Sequence, residues 1–432
     1  MAHIEPFRAL RYTVPPAPDL TRLIAPPYDV IGPAERRRLA ENPLNIVHVD
    51  LPEAGDGGDP YRDAAARLAR WIRDGVLFRD SADALYVAEQ EFPGPDGSPR
   101  RRRGLFARLR LEPYAGGVVI PHERTHDGPR ADRTRLLAAT RANLSPIFFL
   151  HPDPGARVAA ITGGIVVTPP HAWARVGEGD TVRLWRVAER RTIDDLVGGL
   201  RDQWVLIADG HHRYESALAH HAERSAAGGG EGMGHVLAYM CSLDDPGLAI
   251  LPIHRVVHSL PGFDPARVRQ ALAPSFDLEP KADRADLPRA VAAEAGRAGV
   301  FGLLFGGESG GWVARWRDGA AVDPPGFEDL PAPLRRLDVV LLQRLVFERI
   351  LGLDAGRQAR QEHLEYVKDA GALVDRGREV AMAVLLNPTR LEQVIDAARH
   401  GLRLPQKSTF FHPKVPTGLV IDPIGDLPAD RP

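Results

Sequence analysis

A dense cluster of chemistry-bearing residues lies in "LIADGHHRYESAL", from Leu206 to Leu218. Asp209, Gly210, His211, His212 and Arg213 place a carboxylate, two imidazoles and a guanidinium side by side. The apolar run before them predicts a strand, and the spacing after them predicts a helix starting near His211. The first backbone N–H groups of a helix have no intrahelical partner, and its dipole is positive there. Such a turn can hold a phosphate, with the planar fork of Arg213 and the two histidines as further donors. Gly210 permits a backbone angle or a close approach that a side chain would forbid. Asp209 could cap the helix, position a metal or accept a proton. By residue types alone, a plain N-cap with histidines as filler is an equal reading.

Three more clusters bear on chemistry. "APPYDVI" presents Asp29 on a loop stiffened by Pro26 and Pro27, which suits a carboxylate held at fixed geometry or a simple helix cap. "HERTHDGPRADR" carries His122, Glu123, Arg124, Thr125, His126, Asp127, Asp132 and Arg133 with too little apolar anchor to form core. It lines a polar pocket or is a solvated loop, and its spacing matches no standard zinc signature. "LPQKSTFFHPKVPTG" holds Lys407, Ser408, Thr409 and Lys414 but lacks the glycines of a Walker loop. Lys407 could close over an anion there, or the segment is a structured surface loop. His254 and Arg255 in "LPIHRVV" are a further candidate phosphate contact.

These residues sit in an ordinary soluble composition of 432 residues, 44% hydrophobic and 26% charged, long enough for two or three domains. A net charge of -2 gives no general attraction to nucleic acid or anionic lipid. The local run "SPRRRRGLFARLR" reads as a hairpin flank. The single cysteine, Cys241, precludes an intramolecular disulfide or a cysteine-based zinc site, and its apolar run reads as an inert buried strand. No signal peptide and no span of about 20 apolar residues is visible, so a cytoplasmic protein is expected.

The elements that must position the clusters are mixed. "ALYVAEQEF" and "RGLFARLRL" read as a hairpin, "SPIFFLH", "WVLIADG" and "HVLAYMCSL" as strands, and "DPYRDAAARLARWIRDG" and "DRTRLLAATRANL" as helices. "NIVHVDL" and "GGIVVTPP" also read as strands, and "SAAGGGEGMGH" as a flexible loop. The order is not a clean alternation, so the expected class is α+β. A composition shift near Pro261 suggests domains of 1–261 and 262–432, the second also α+β.

The segment "ADGHHRYESAL" resembles the phosphate-gripping turn of the ParB/sulfiredoxin fold, where a strand ends in a Gly-x-x-Arg turn; here Gly210 to Arg213. Sulfiredoxins carry a reactive Cys where this chain has His211, which argues against that redox chemistry. The Asp-Gly-His-x-Arg version of free-serine kinases is matched by Asp209, Gly210, His211 and Arg213. Over nearly its whole length the chain resembles a widespread, largely uncharacterised bacterial and archaeal family, through "PPYDVI", "DRTRLLAATRANLSPIF", "ADGHHRYESAL", "LPIHRVV" and "PQKSTFFHPKVPTGL". The resemblance implies a ParB/sulfiredoxin-like core with insertions and a small-molecule phosphotransferase, a free L-serine kinase or its reverse. ATP or ADP would dock on Gly210, His212 and Arg213, with Arg133 and Lys407 as further anion contacts and Mg bridging the phosphates. Asp29 is the first candidate base and Glu123 the second; Asp209 and His211 complete the catalytic set. The alternative is ParB-like nucleotide-dependent DNA binding, or nucleotide sensing without turnover; the balanced charge and lack of a recognition helix count against DNA.

Overall fold

The computed structural model describes residues 1–13, 19–54, 58–125, 127–177, 179–226, 234–317, 327–376 and 380–425. The chain folds into two compact units. One comprises Met1–Pro121, Thr125–Ala249 and Pro413–Pro432; the other comprises His122–Arg124 and Ile250–His412. The expected division at Pro261 compares with one between Ala249 and Ile250. Residues 413–432 rejoin the first unit, where Asp422 and Pro423 pair with Asn143 and Ala142.

The strands of the first unit are β1 (Ile4–Glu5), β2 (Leu10–Tyr12), β3 (Leu77–Arg79), β4 (Leu85–Pro93), β5 (Pro99–Arg110), β6 (Val119–Ile120), β7 (Ala142–Asn143), β8 (Ile147–His151), β9 (Ala172–Val176), β10 (Asp180–Val187), β11 (Val205–Asp209) and β12 (His235–Ser242). Its helices are α1 (Pro33–Ala40), α2 (Val47–Asp50), α3 (Pro60–Arg73), α4 (Asp127–Thr140), α5 (Arg157–Ile165), α6 (Arg190–Leu200) and α7 (His211–Ala226). Nine strands form one mixed sheet in the order β6-β11-β8-β12-β5-β4-β10-β9, with β1 added along β5. The class is α+β, as the unalternating order of elements predicts.

Alternation makes the central strands two-faced. Leu105, Ala107 and Leu109 of β5 join Val236, Ala238 and Met240 of β12 and Phe149 of β8 in one core, which also takes Leu196 and Leu200 of α6 and Tyr214 of α7. Tyr214 is fully buried, yet its hydroxyl accepts from the Glu112 N–H and donates to the Glu112 carbonyl, both at 2.9 Å. This polar anchor fixes α7 against the sheet. Cys241 is buried in β12, and burial pushes its thiol well up.

Two expected strands do not form. "NIVHVDL" becomes α2 because the Asn45 carboxamide accepts from the Val47 N–H at 2.9 Å and starts a turn, which outweighs the two-residue alternation. "GGIVVTPP" begins inside α5, whose first turn is capped by Asp153: its two oxygens accept from Val158 and Ala159 at 3.0 and 2.9 Å. Most of the expected loop "SAAGGGEGMGH" lies outside the described residues, as does His126.

The second unit is built on a six-stranded antiparallel sheet in the order Phe276–Lys281, Gly311–Trp316, Val300–Phe305, Met382–Leu386, His254–Val257, Leu364–Val367. Phe276, Phe301 and Phe305 pack with Leu341, Leu345 and Phe347 on one face of it. Among the described residues, no helix is long and apolar enough to cross a membrane.

Candidate functional site

The Asp-Gly-His-His-Arg turn lies where β11 hands over to α7. Ladder register shifts between Ile207 and Asp209, so that Asp209 stands opposite Phe148. An irregularity of this kind re-aims the side chain at the strand end. Gly210 follows with φ +97°, a region that side-chain-bearing residues rarely adopt, and its carbonyl accepts from the Tyr214 N–H at 3.0 Å to open α7. A Cβ on Gly210 would stand 3.0 Å from Nε and Nη2 of Arg213 and 3.1 Å from its Cζ. Glycine is therefore required twice, for the angle and for the guanidinium lying against the backbone.

Arg213 is four residues from Asp209, and the turn brings them together: Nη2 donates to Asp209 Oδ2 at 2.7 Å. Nη1 donates to the Pro146 carbonyl, and Nε is buried without a hydrogen-bond partner. Lys414 Nζ donates to the other oxygen, Asp209 Oδ1. Burial alone would raise Asp209, but Lys414 and Arg213 outweigh it and hold the carboxyl well below the usual carboxylate range. His211 is buried and adds to the positive field on Asp209.

A second cluster adjoins this one. Arg133 of α4 donates from Nη1 to the Asp50 carbonyl at 2.8 Å and from Nε to Asp132 Oδ2 at 2.7 Å. Its guanidinium stacks 4.1 Å from the ring centroid of Tyr28. Asp132 also accepts from the Tyr61 hydroxyl at 2.7 Å. Ser145 donates to Asp50 Oδ1 at 2.8 Å and shares a 2.9 Å contact with the Thr417 hydroxyl. Asp50 Oδ2 is buried and has no hydrogen-bond partner. Burial pushes Tyr28 up to about 12, and the charges of Arg213, Asp29, Arg133 and Asp209 all reach it. Tyr28 thus links the two clusters.

Between them lies a cleft of about 50 Å³ lined by Asp50, Arg133, Asn143, Ser145, Arg213 and Ser216. At roughly 10–15 Å³ of such volume per water, it admits a few oxygen-sized groups. Arg133, Arg213 and Asp50 share this lining with apolar residues such as Leu136, Ile147 and Leu237, and Asp50 Oδ2 is unsatisfied. The arrangement can bind an oxyanion or, through Asp50, a hard cation.

The structure thus gathers Asp209, Gly210, His211, Arg213 and Arg133, while Asp29 is exposed on the short turn Tyr28–Val30, beside Tyr28. His212 is the half-buried second residue of α7. Glu123 and Lys407 belong to the second unit. There Glu123 bridges to Leu404, its charge reaches Arg255, and the Lys407 carbonyl accepts from Arg255 Nη2 at 2.8 Å. Of the two lysines in the C-terminal loop, Lys414 is the one paired with Asp209. Asp50, Ser145 and Thr417 were not among the expected site residues. The last two sit inside quoted blocks, "NLSP" and "VPTG", so that polar residues in those blocks were the available signal; Asp50 had none.

No curated protein matches the chain. Among solved structures, a free serine kinase variant in complex with ADP is 12% identical, with 71% of this chain and 87% of that one covered and a TM-score of 0.34. A conserved hypothetical protein from Pyrococcus furiosus is 16% identical over 75% and 97% of the two chains, at 0.34. C-terminally truncated SbnI from Staphylococcus aureus is 9% identical over 73% and 87%, at 0.35. No residue role passes from them to this chain. The family described as "Protein of unknown function (DUF1015)" matches residues 4–340, well over half of the sequence, and to that family the chain belongs.

Proposed function

We propose that the first unit is a small-molecule phosphotransferase with a ParB/sulfiredoxin-like core, acting between ATP or ADP and the hydroxyl of free L-serine. The observation that carries the reading is the cleft whose lining includes Arg133, Arg213 and Asp50, the last with its Oδ2 unpartnered. Phosphoryl transfer asks mainly for positioning and charge neutralisation, which two arginines and a lysine supply. The Asp-Gly-His-x-Arg turn, shared in pattern with free-serine kinases, supports the same reading.

In this scheme the phosphates lie against the Gly210 turn, held by Arg213, Arg133 and His212. Asp50 Oδ2, a buried hard oxygen donor, fits a divalent cation. Mg2+, when bound, would neutralise charge on the transferring group. Asp29 takes the serine hydroxyl proton as Oγ attacks the terminal phosphorus. The bond to the bridging oxygen breaks, and ADP leaves from ATP, or AMP from ADP. Lys414 and Arg213 keep Asp209 ionised, so that it orients Arg213 without taking a proton itself.

The second reading is nucleotide sensing without turnover; in either reading both Nη atoms of Arg213 are already engaged, so that an anion competes with Asp209 and the Pro146 carbonyl. ParB-like DNA binding has no comparable support. The test is incubation of the full chain with Mg2+, L-serine and ATP, ADP or pyrophosphate, followed by phosphorus NMR. O-phosphoserine formation that is lost in Arg133→Ala and Arg213→Ala is expected. Nucleotide binding by calorimetry without phosphoserine would select the sensor, and neither binding nor product would refute both readings.

A further inference from the structure

The first unit holds another cluster of ligating side chains, set by strand register away from the Gly210 turn. Arg110 of β5 pairs with His235 of β12, and its N–H donates to the His3 carbonyl at 2.9 Å; Arg108, two residues earlier, stands opposite Glu5 of β1. Ile4, Leu109 and Val236 point into the core, so that alternation sends His3, Glu5 and His235 to the opposite face. There one ligand atom from each lies within 4.8 Å of the others. His3 Nδ1 is 3.6 Å and His235 Nε2 is 3.5 Å from the same carboxylate oxygen, Glu5 Oε1. His235 Nε2 is buried with no hydrogen-bond partner.

From this geometry we infer that His3, Glu5 and His235 form a binding site for a divalent transition metal of the zinc class. Zinc bonds of 2.0–2.1 Å in tetrahedral array put ligand atoms about 3.4 Å apart, close to the two separations to Glu5. Rotation of His3, whose side chain is 46% exposed, closes the third edge. Two imidazoles and a carboxylate are suitable zinc donors, and three protein ligands leave one position for water. Local charge allows it. Arg108 bonds Asp422 Oδ1 at 2.7 Å and the Pro423 carbonyl at 2.8 Å, and Arg110 bonds Glu112 at 2.8 Å, so that both guanidiniums are balanced and Glu5 remains. A bound metal would clamp β1 and β12 across β5.

The test titrates Zn2+ and Co2+ into tag-free, chelator-stripped full-length protein, read by calorimetry and by the visible absorption of four-coordinate cobalt. One equivalent is expected, with affinity falling by about a hundredfold or more in His3→Gln, Glu5→Gln and His235→Gln. His3→Gln alters an exposed side chain, so that its fold is safe and circular dichroism confirms it. Absence of stoichiometric binding, or equal affinity in His3→Gln and the parent, overturns the assignment. Serine phosphorylation does not enter these readouts, so that failure here and failure of the phosphotransferase reading are independent.

Discussion

Replacing Gly210 by alanine tests the geometry on which the turn depends. Two costs add. The backbone at φ +97° lies beyond the left-handed well, so that a Cβ there costs about 1–3 kcal/mol. The new methyl meets three guanidinium atoms of Arg213 at 3.0–3.1 Å, and overpacking of that kind costs about 1–3 kcal/mol more. A loss of about 2–6 kcal/mol is expected. Because the chain has two compact units, global unfolding need not be two-state. Native-state hydrogen exchange of the Ile207–Tyr214 amides reads the local opening free energy instead. The two costs separate in an Arg213→Ala background: the contact disappears and the backbone strain stays, so that Gly210→Ala should be milder there by about 1–3 kcal/mol. Exchange within about 0.5 kcal/mol of the parent would refute the strain argument, and an undiminished cost without Arg213 would refute the contact.

Lys414→Met removes one of the two cations on a buried carboxylate and should cost about 2–4 kcal/mol of local opening free energy by hydrogen exchange of the Ile207–Tyr214 amides, most of it recovered in the Lys414→Met, Asp209→Asn double variant. Because Asp209 is held below its unfolded value, its contribution is complete above about pH 4 and fades as pH falls through the depressed folded value; Asp209→Asn should flatten the acid limb of the stability profile there and a slope unchanged from the parent would contradict the pairing. Arg133→Lys keeps the charge but loses the stack on Tyr28 and the fork spanning Asp50 and Asp132, so that calorimetry should show nucleotide affinity about tenfold weaker. Asp29→Asn should bind nucleotide normally and phosphorylate serine about 10²-fold or more slowly; the same change at Glu123 tests the alternative base, and an undiminished rate in Asp29→Asn removes Asp29 from the role.

Local order made the turn legible. Apolar residues up to Ala208 specify a strand, Gly210 permits the break, and four-residue spacing brings Arg213 back to Asp209 once a helix begins. The same local logic failed at "NIVHVDL", where one carboxamide starting a turn decided between two equally apolar periodicities. It is also silent on partners that only folding brings together. Lys414 reaches Asp209 across 205 residues, and Ser145 reaches Thr417 across 272, because the end of the chain pairs back onto β7. The choice of Lys414 over Lys407 and the gathering of Asp50 with Arg133 into one cleft are therefore facts of packing. So is the meeting of His3 with His235, which depends on two strands aligning to the same residues of β5. Spacing along the chain sets which side chains share a turn or a face; long-range register and burial set which of them meet, and no local pattern carries that information.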